Sequence, residues 1–118
     1  NVHIHAGKTW LIDFQGMRGG RPEYDLASLV YDGYAHLAPA QVQELLREWE
    51  RITGHPLDER IFRACALQRV MQMLGAYANI GHNQGKTWYL AQIPAGLEHL
   101  RRLLPGSTLA EPLAAMLA

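Results

Sequence analysis

The stretch Trp10-Leu11-Ile12-Asp13-Phe14-Gln15-Gly16 decides how the chain is read. An apolar run delivers one carboxylate and then breaks into a glycine-rich turn, Met17-Arg18-Gly19-Gly20-Arg21-Pro22-Glu23-Tyr24-Asp25, which carries two arginines. A strand ending in an acid, followed by pliable backbone and cations, can hold a metal ion and a phosphate. Many ordinary strands end the same way, so the surrounding sequence has to separate the two readings.

Upstream of this stretch, residues 1–14 read as a β-hairpin. Val2-His3-Ile4-His5 and Thr9 to Phe14 flank Ala6-Gly7-Lys8, and a three-residue loop containing glycine is a common hairpin connection. That loop pairs His5 with Thr9, His3 with Leu11 and Asn1 with Asp13. Alternation then sends Val2, Ile4, Trp10, Ile12 and Phe14 to a core face. Asn1, His3, His5, Thr9, Leu11 and Asp13 take the opposite face. Cross-strand partners have Cβ atoms ~4.5–5.5 Å apart, so the Asn1 amide and the Asp13 carboxylate could share one cation. A one-residue slip would remove the pair.

Downstream, residues 15–25 read as a loop, and the remainder, 26–118, as a helical region. Asp25 is the expected N-cap of a short helix over Leu26–Tyr34, with Leu26, Leu29 and Val30 as its apolar stripe. Pro39 suits the first turn of a second helix bearing Val42, Leu45, Leu46, Trp49 and Ile52, which Gly54 stops. Asp58 starts the longest helix, expected to run to about Ile80 and end at Gly81. Its wide stripe of Ile61, Phe62, Cys65, Ala66, Val70, Met73, Leu74 and Tyr77 makes it the central element. Trp88–Leu90 opens another helical stretch, Pro94 lies near the start of a run with Leu97, Leu100, Leu103 and Leu104, and Ser107 or Thr108 caps a last short helix. The fold class is mainly α: a hairpin followed by five or six helices in a single domain of 118 residues.

Bulk composition narrows the function classes. The formal net charge is zero, which gives no electrostatic reason to expect nucleic acid or a membrane surface as partner. A single cysteine, Cys65, excludes an internal disulfide and fits a reducing, cytoplasmic setting. No apolar run approaches the ~20 residues a spanning helix needs. The chain opens at Asn1, directly in a strand pattern, and the true N-terminus is expected to lie upstream.

Among residues that could carry chemistry, Asn1 with Asp13 is the sharpest pair, an all-oxygen set suited to Mg²⁺. His3 and His5 share their face and invite a zinc reading. However, His5 stands ~13 Å along the strand from the position opposite Asp13, too far for one mononuclear site. Arg18 and Arg21 could fork onto a phosphate, or pin the loop through Glu23, Asp25 or Asp32. Asp25 reads as structural, an N-cap or an arginine partner. His82, Asn83 and Lys86, beside Trp88 and Tyr89, could rim a small-molecule pocket or form a solvated turn. No nucleophile–base constellation, phosphate-binding glycine loop or paired-cysteine motif is visible.

Leu11-Ile12-Asp13-Phe14-Gln15-Gly16, followed by Tyr24-Asp25-Leu26-Ala27-Ser28-Leu29, closely resembles the C-terminal lobe of aminoglycoside phosphotransferase-like kinases. The branch it looks most like is the bacterial anomeric N-acetylmuramate/N-acetylglucosamine kinases. Gln68-Arg69 through Leu74-Gly75, Gly85-Lys86, Tyr89-Leu90 and Ile93-Pro94 are similar to the helical end of that branch. The resemblance implies a protein-kinase-like fold in which a catalytic loop, ending in an asparagine, precedes a hairpin that ends in a metal-binding aspartate. Asn1 and Asp13 fall at those two places, which implies that both hold Mg²⁺ bridging the phosphates of ATP. Gln15 stands where protein kinases carry glycine, so their activation-loop switching is not implied.

The same resemblance places the catalytic aspartate upstream of Asn1, together with the N-terminal lobe that would hold the nucleotide. The expectation is therefore a C-terminal portion of an ATP- and Mg²⁺-dependent phosphotransferase acting on a sugar or aminosugar hydroxyl, inactive as a fragment. Its partners would be the small-molecule substrate and the missing N-terminal part of the same protein. A non-catalytic helical interaction or regulatory domain, including a pseudokinase, is the alternative. The acceptor itself is not legible.

Overall fold

A computed structural model describes residues 2–117. Two antiparallel strands, β1 (Val2–His5) and β2 (Lys8–Leu11), are followed by five helices: α1 (Pro22–Val30), α2 (Pro39–Thr53), α3 (Glu59–Asn83), α4 (Ile93–Leu103) and α5 (Ala110–Leu117). Short 3₁₀ segments cover Phe14–Gly16 and Thr87–Gln92. A hairpin followed by five helices is the architecture expected from the pattern.

The hairpin register differs from the expected one. Val2 pairs with Leu11, His3 with Trp10, Ile4 with Thr9 and His5 with Lys8. The connection is the two-residue turn Ala6-Gly7, with φ of 48° and 70°. Both central residues at positive φ give the primed turn whose twist matches that of paired strands, and it displaces the three-residue loop. Cross-strand partners share a face, so Val2, Ile4, Thr9 and Leu11 form one side and His3, His5, Lys8 and Trp10 the other. The expected core face is therefore not formed. Both strands are exposed along their whole length, with Ile4 79% and Leu11 73% accessible. The side chain of Phe14 lies outside the described residues.

The helices carry the core. Asp58 caps α3 as expected, its Oδ1 accepting from the backbone N–H of Arg60 (2.9 Å) and Ile61 (3.2 Å). Along α3, Cys65, Ala66, Leu67, Val70, Met73 and Tyr77 are buried at the 3,4 spacing of one helical face. They pack against Leu26, Ala27 and Val30 of α1 on one side and Leu100 and Leu103 of α4 on the other. The phenol of Tyr24 donates to the Gln72 side-chain carbonyl and ties α1 to α3. Arg101 reaches the carbonyl of Leu117 at 3.1 Å and draws α5 toward α4.

Two helix boundaries move for identifiable reasons. The first helix starts at Pro22, whose fixed φ and missing N–H suit the first helical position, and it ends at Val30. The loop therefore stops at Arg21, and Asp25 sits exposed in the first turn, not at the cap. Leu29 is 44% exposed, and Glu23 takes the buried place in the stripe. Beyond the helix, Asp32 Oδ1 accepts from the N–H groups of Tyr34 (2.8 Å) and Ala35 (3.0 Å), turning the chain away. The longest helix does not stop at Gly81 but continues to Asn83, and Gly81 serves a close approach instead. A Cβ there would overlap the side chain of Leu90. Gly54 does end α2, in the left-handed conformation at φ 71°.

Helix α2 lies at the margin, with no fully buried residue and Ile52 69% exposed. Its outer face carries the Glu48–Arg51 ion pair at 2.6 Å, one of the opposite-charge pairs set by the i,i+3 spacing.

Candidate functional site

Asp13 stands two residues past the last paired position of β2, Leu11. Its backbone is left-handed, φ 61°, a region that few residues other than glycine enter. Aspartate tolerates it because its short polar side chain bonds locally. Here the local partner is Gln15, whose side-chain amide donates to Asp13 Oδ1. The strand thus breaks sharply at Asp13, the chain enters the 3₁₀ turn Phe14–Gly16, and the carboxylate is left exposed and held by Gln15.

Among the described residues the ladder ends at Val2↔Leu11, so the expected Asn1–Asp13 pair falls on a residue that is not among them. Asn1 itself lies outside the described residues. Among the described residues no group of three or more His, Cys, Asp or Glu side chains converges as a metal site, so His3 and His5 gain no third ligand from Asp13. What is present fits a different donor chemistry. One exposed carboxylate is the kind of hard oxygen ligand that Mg²⁺ takes once or twice, with phosphate and water completing the shell.

The loop after Asp13 leaves both arginines exposed. Arg21 occupies the N-cap position of α1, and its carbonyl accepts from the N–H of Tyr24 at 3.0 Å. Among the described residues neither Arg18 nor Arg21 forms an ion pair with Glu23, Asp25 or Asp32; the ion pairs there are Glu48–Arg51 and Glu98–Arg102. The burial of one acid, read from the sequence only as a loop partner for arginine, was missed. Glu23 is 7% exposed, and its Oε2 and the Nε of Arg69 on α3 are buried without a hydrogen-bond partner among the described residues. The i,i+3,i+4,i+7 positions of Glu23, Leu26, Ala27 and Val30 carried that information once the helix start was known.

A second polar corner forms at the far end of α3. His82 and Asn83 occupy its last turn, with Asn83 Nδ2 donating to Asn79 Oδ1 at 2.8 Å. Lys86 follows after Gly85, at φ 71°, and immediately precedes the 3₁₀ segment bearing Trp88 and Tyr89. His82, Asn83 and Lys86 are all exposed. His82 and Asn83 are thus part of the helix, and only Lys86 lies in the turn that leads to the aromatic pair. Two further rings join that pair from elsewhere in the chain: Tyr34 lies 6.0 Å from Trp88 and Tyr77 5.5 Å from Tyr89, centroid to centroid. Desolvation, and then the neighbouring Tyr77 and Tyr89 hydroxyls, hold the Tyr34 phenol above its ordinary range.

Over most of its length the chain is similar to bacterial small-molecule kinases. The relatives are N-acetylmuramate/N-acetylglucosamine kinases. The Neisseria meningitidis serogroup B protein is 32% identical over 112 residues, covering 87% of this chain and 34% of the relative. That of Pseudomonas aeruginosa is 30% identical over 109 residues, covering 85% and 32%. That of Pseudomonas putida is 28% identical over 103 residues, covering 80% and 30%. The chain therefore spans about a third of the length of the curated relatives it matches. These relatives carry the name of the kinase branch read from Leu11–Gly16 and Tyr24–Leu29. No family model matches the chain. No solved structure matches it. Among the described residues no helix is long and apolar enough to cross a membrane.

Proposed function

We propose that this chain is part of the C-terminal lobe of an ATP- and Mg²⁺-dependent, cytoplasmic sugar kinase with a protein-kinase-like fold, and that Asp13 is its metal-binding carboxylate. The observation that carries the reading is the geometry of Asp13. An exposed acid at a strand end is set in left-handed backbone and held by Gln15, in a chain similar to named sugar kinases over more than four-fifths of its length. Asp13, with Asn1 as the second oxygen donor, would hold Mg²⁺. When bound, the ion supplies charge neutralisation for the transferring phosphoryl group.

The chain's own residues then have separate tasks. Gln15 fixes the rotation of the Asp13 carboxylate. Arg18 and Arg21, exposed on the following loop, are placed to meet phosphate oxygens or to order that loop against acids elsewhere in the protein. Asp25, exposed in the first turn of α1, organises the same loop. His82, Asn83 and Lys86 contribute to the acceptor side. On this reading the catalytic base and the nucleotide-covering lobe would be supplied from outside this chain, and the chain alone is expected to be inactive.

The test is made on the full-length protein. It should transfer phosphate from ATP to a sugar in a screen of N-acetylated aminosugars, aminoglycosides and choline-like amines. Asp13→Ala should cut turnover by at least about 10²-fold, the scale of losing one preorganised electrostatic contact, with the fold retained in circular dichroism and a melting temperature lowered only by what alanine costs in left-handed backbone. Full turnover in Asp13→Ala would remove the metal assignment.

A further inference from the structure

The aromatic corner formed by Tyr34, Tyr77, Trp88 and Tyr89 has a construction that core packing does not require. Trp88 and Tyr89 lie against each other with centroids 3.9 Å apart and planes tilted by 31°. Tyr77 links Tyr34, at 6.3 Å, to Tyr89, at 5.5 Å. Tyr77 is the buried anchor at 6% exposure, whereas Tyr34 and Trp88 are 54% and 53% exposed and adjacent to one another. Isolated exposed aromatics are ordinary, but contiguous ones mark recognition surfaces. The hydroxyl of Tyr34 lies close enough to those of Tyr77 and Tyr89 to feel both. His82 and Asn83 in the last turn of α3, and Lys86 just before the 3₁₀ segment, are exposed polar residues close by in the chain.

The corner is also held firmly. The backbone of Gly33 comes so close to Tyr77 that a Cβ would sit 3.2 Å from its Cζ and 3.3 Å from Met73 Sδ. Gly81 is closed by Leu90 in the same way. These approaches fix the positions of residue 34 and of the Trp88–Tyr89 pair before any ligand arrives, which lowers the ordering cost of binding.

Two exposed ring faces, Tyr34 and Trp88, inclined 42° to one another beside a tyrosine hydroxyl and exposed polar residues, complement one chemistry closely. A pyranose ring has a C–H face that packs on aromatic carbon and an edge of hydroxyls that needs donors and acceptors. We propose that Tyr34 and Trp88 form the stacking platform for the pyranose ring of the acceptor sugar, with the tyrosine hydroxyls and the Lys86 side as its polar partners. The inference rests on the sugar-kinase reading and names a specificity-determining surface within it.

The experiment uses the full-length protein and N-acetylglucosamine. Trp88→Leu and Tyr34→Leu should each raise the KM for the sugar about tenfold, the effect of losing one well-placed contact, while the KM for ATP stays constant. Trp88→Phe, which keeps an aromatic face, should restore most of the affinity. Circular dichroism melting separates a lost contact from a lost fold. Tyr34, outside the helices, provides the second variant should Trp88→Leu unfold. An unchanged sugar KM in folded variants overturns the platform. If the wild-type protein phosphorylates no sugar, the kinase reading falls, and calorimetric titration with N-acetylglucosamine decides the platform separately. Saturable binding lost in Tyr34→Leu upholds it, and no binding overturns it.

Discussion

Leu90 closes onto the backbone of Gly81, so that a Cβ at residue 81 would stand 2.5 Å from Leu90 Cγ. This contact lets the last turn of α3 meet the 3₁₀ segment and sets the position of the neighbouring aromatic pair. Gly81→Ala should therefore destabilise the protein even though alanine favours a helix. Overpacking costs roughly 1–3 kcal/mol, and helix propensity returns about 1. Gly75, six residues earlier on the same helix, is exposed, and a Cβ there would meet nothing within 4 Å, so Gly75→Ala should stabilise by up to ~1 kcal/mol. Urea denaturation midpoints that move in the same direction for both variants would contradict the packing argument.

Val70 is fully buried at the centre of α3, among residues of α1 and α4. Val70→Ala removes two methyl groups from a site with little room to collapse, and about 2 kcal/mol of stability should be lost. Ile52→Ala on α2, at 69% exposure, should change stability by less than ~0.5 kcal/mol. Equal effects at the two sites would mean that the core does not lie along α3.

His99 packs edge-on against Tyr31, with centroids 5.3 Å apart. Burial lowers its pKa from the ordinary 6.5, reinforced by nearby Arg102. A histidine lowered in the folded state is neutral there, and the unfolded chain binds the proton more readily. Its contribution to stability is complete above about 6.5 and is lost as pH falls from that value through the lowered folded one. Thermal melts taken from about pH 7.5 down to about 5 should show a decline that His99→Gln lacks. An identical pH profile for the variant would exclude His99 as the source.

Cys65 is 8% exposed, and burial, with the Glu23 carboxylate adding to it, pushes its thiol pKa up. A protonated, enclosed thiol is a poor nucleophile. Ellman's reagent should react slowly with the native protein and with one equivalent rapidly in denaturant. Fast labelling of the native state would require α3 to open locally.

The helical half is legible because its signals are local. Asp58 as a cap, Gly54 as a stop, Pro39 in a first turn and the stripe of α3 each follow from backbone geometry or a 3.6-residue period, and each is found. The start of α1 is ambiguous in sequence because Asp25 and Pro22 are both good start signals. Propensity does not rank them, and burial of Glu23 and Leu26 against α3 does. The end of α3 is ambiguous for a related reason. Glycine stops a helix or admits a neighbour, and only the presence of Leu90 tells which.

The sequence by itself determined a hairpin followed by helices, an acid at the end of the second strand, and a likeness to sugar kinases. These features live in contiguous residues. The tertiary structure alone decided the strand register, which turns on two positive φ angles at Ala6 and Gly7 and shifts every cross-strand partner by one. It also decided the aromatic corner, because Tyr34, Tyr77 and Trp88 are far apart in the chain and meet only when α1 and the 3₁₀ segment pack on α3. Local chemistry can be read from spacing, but convergence of distant side chains is a property of packing.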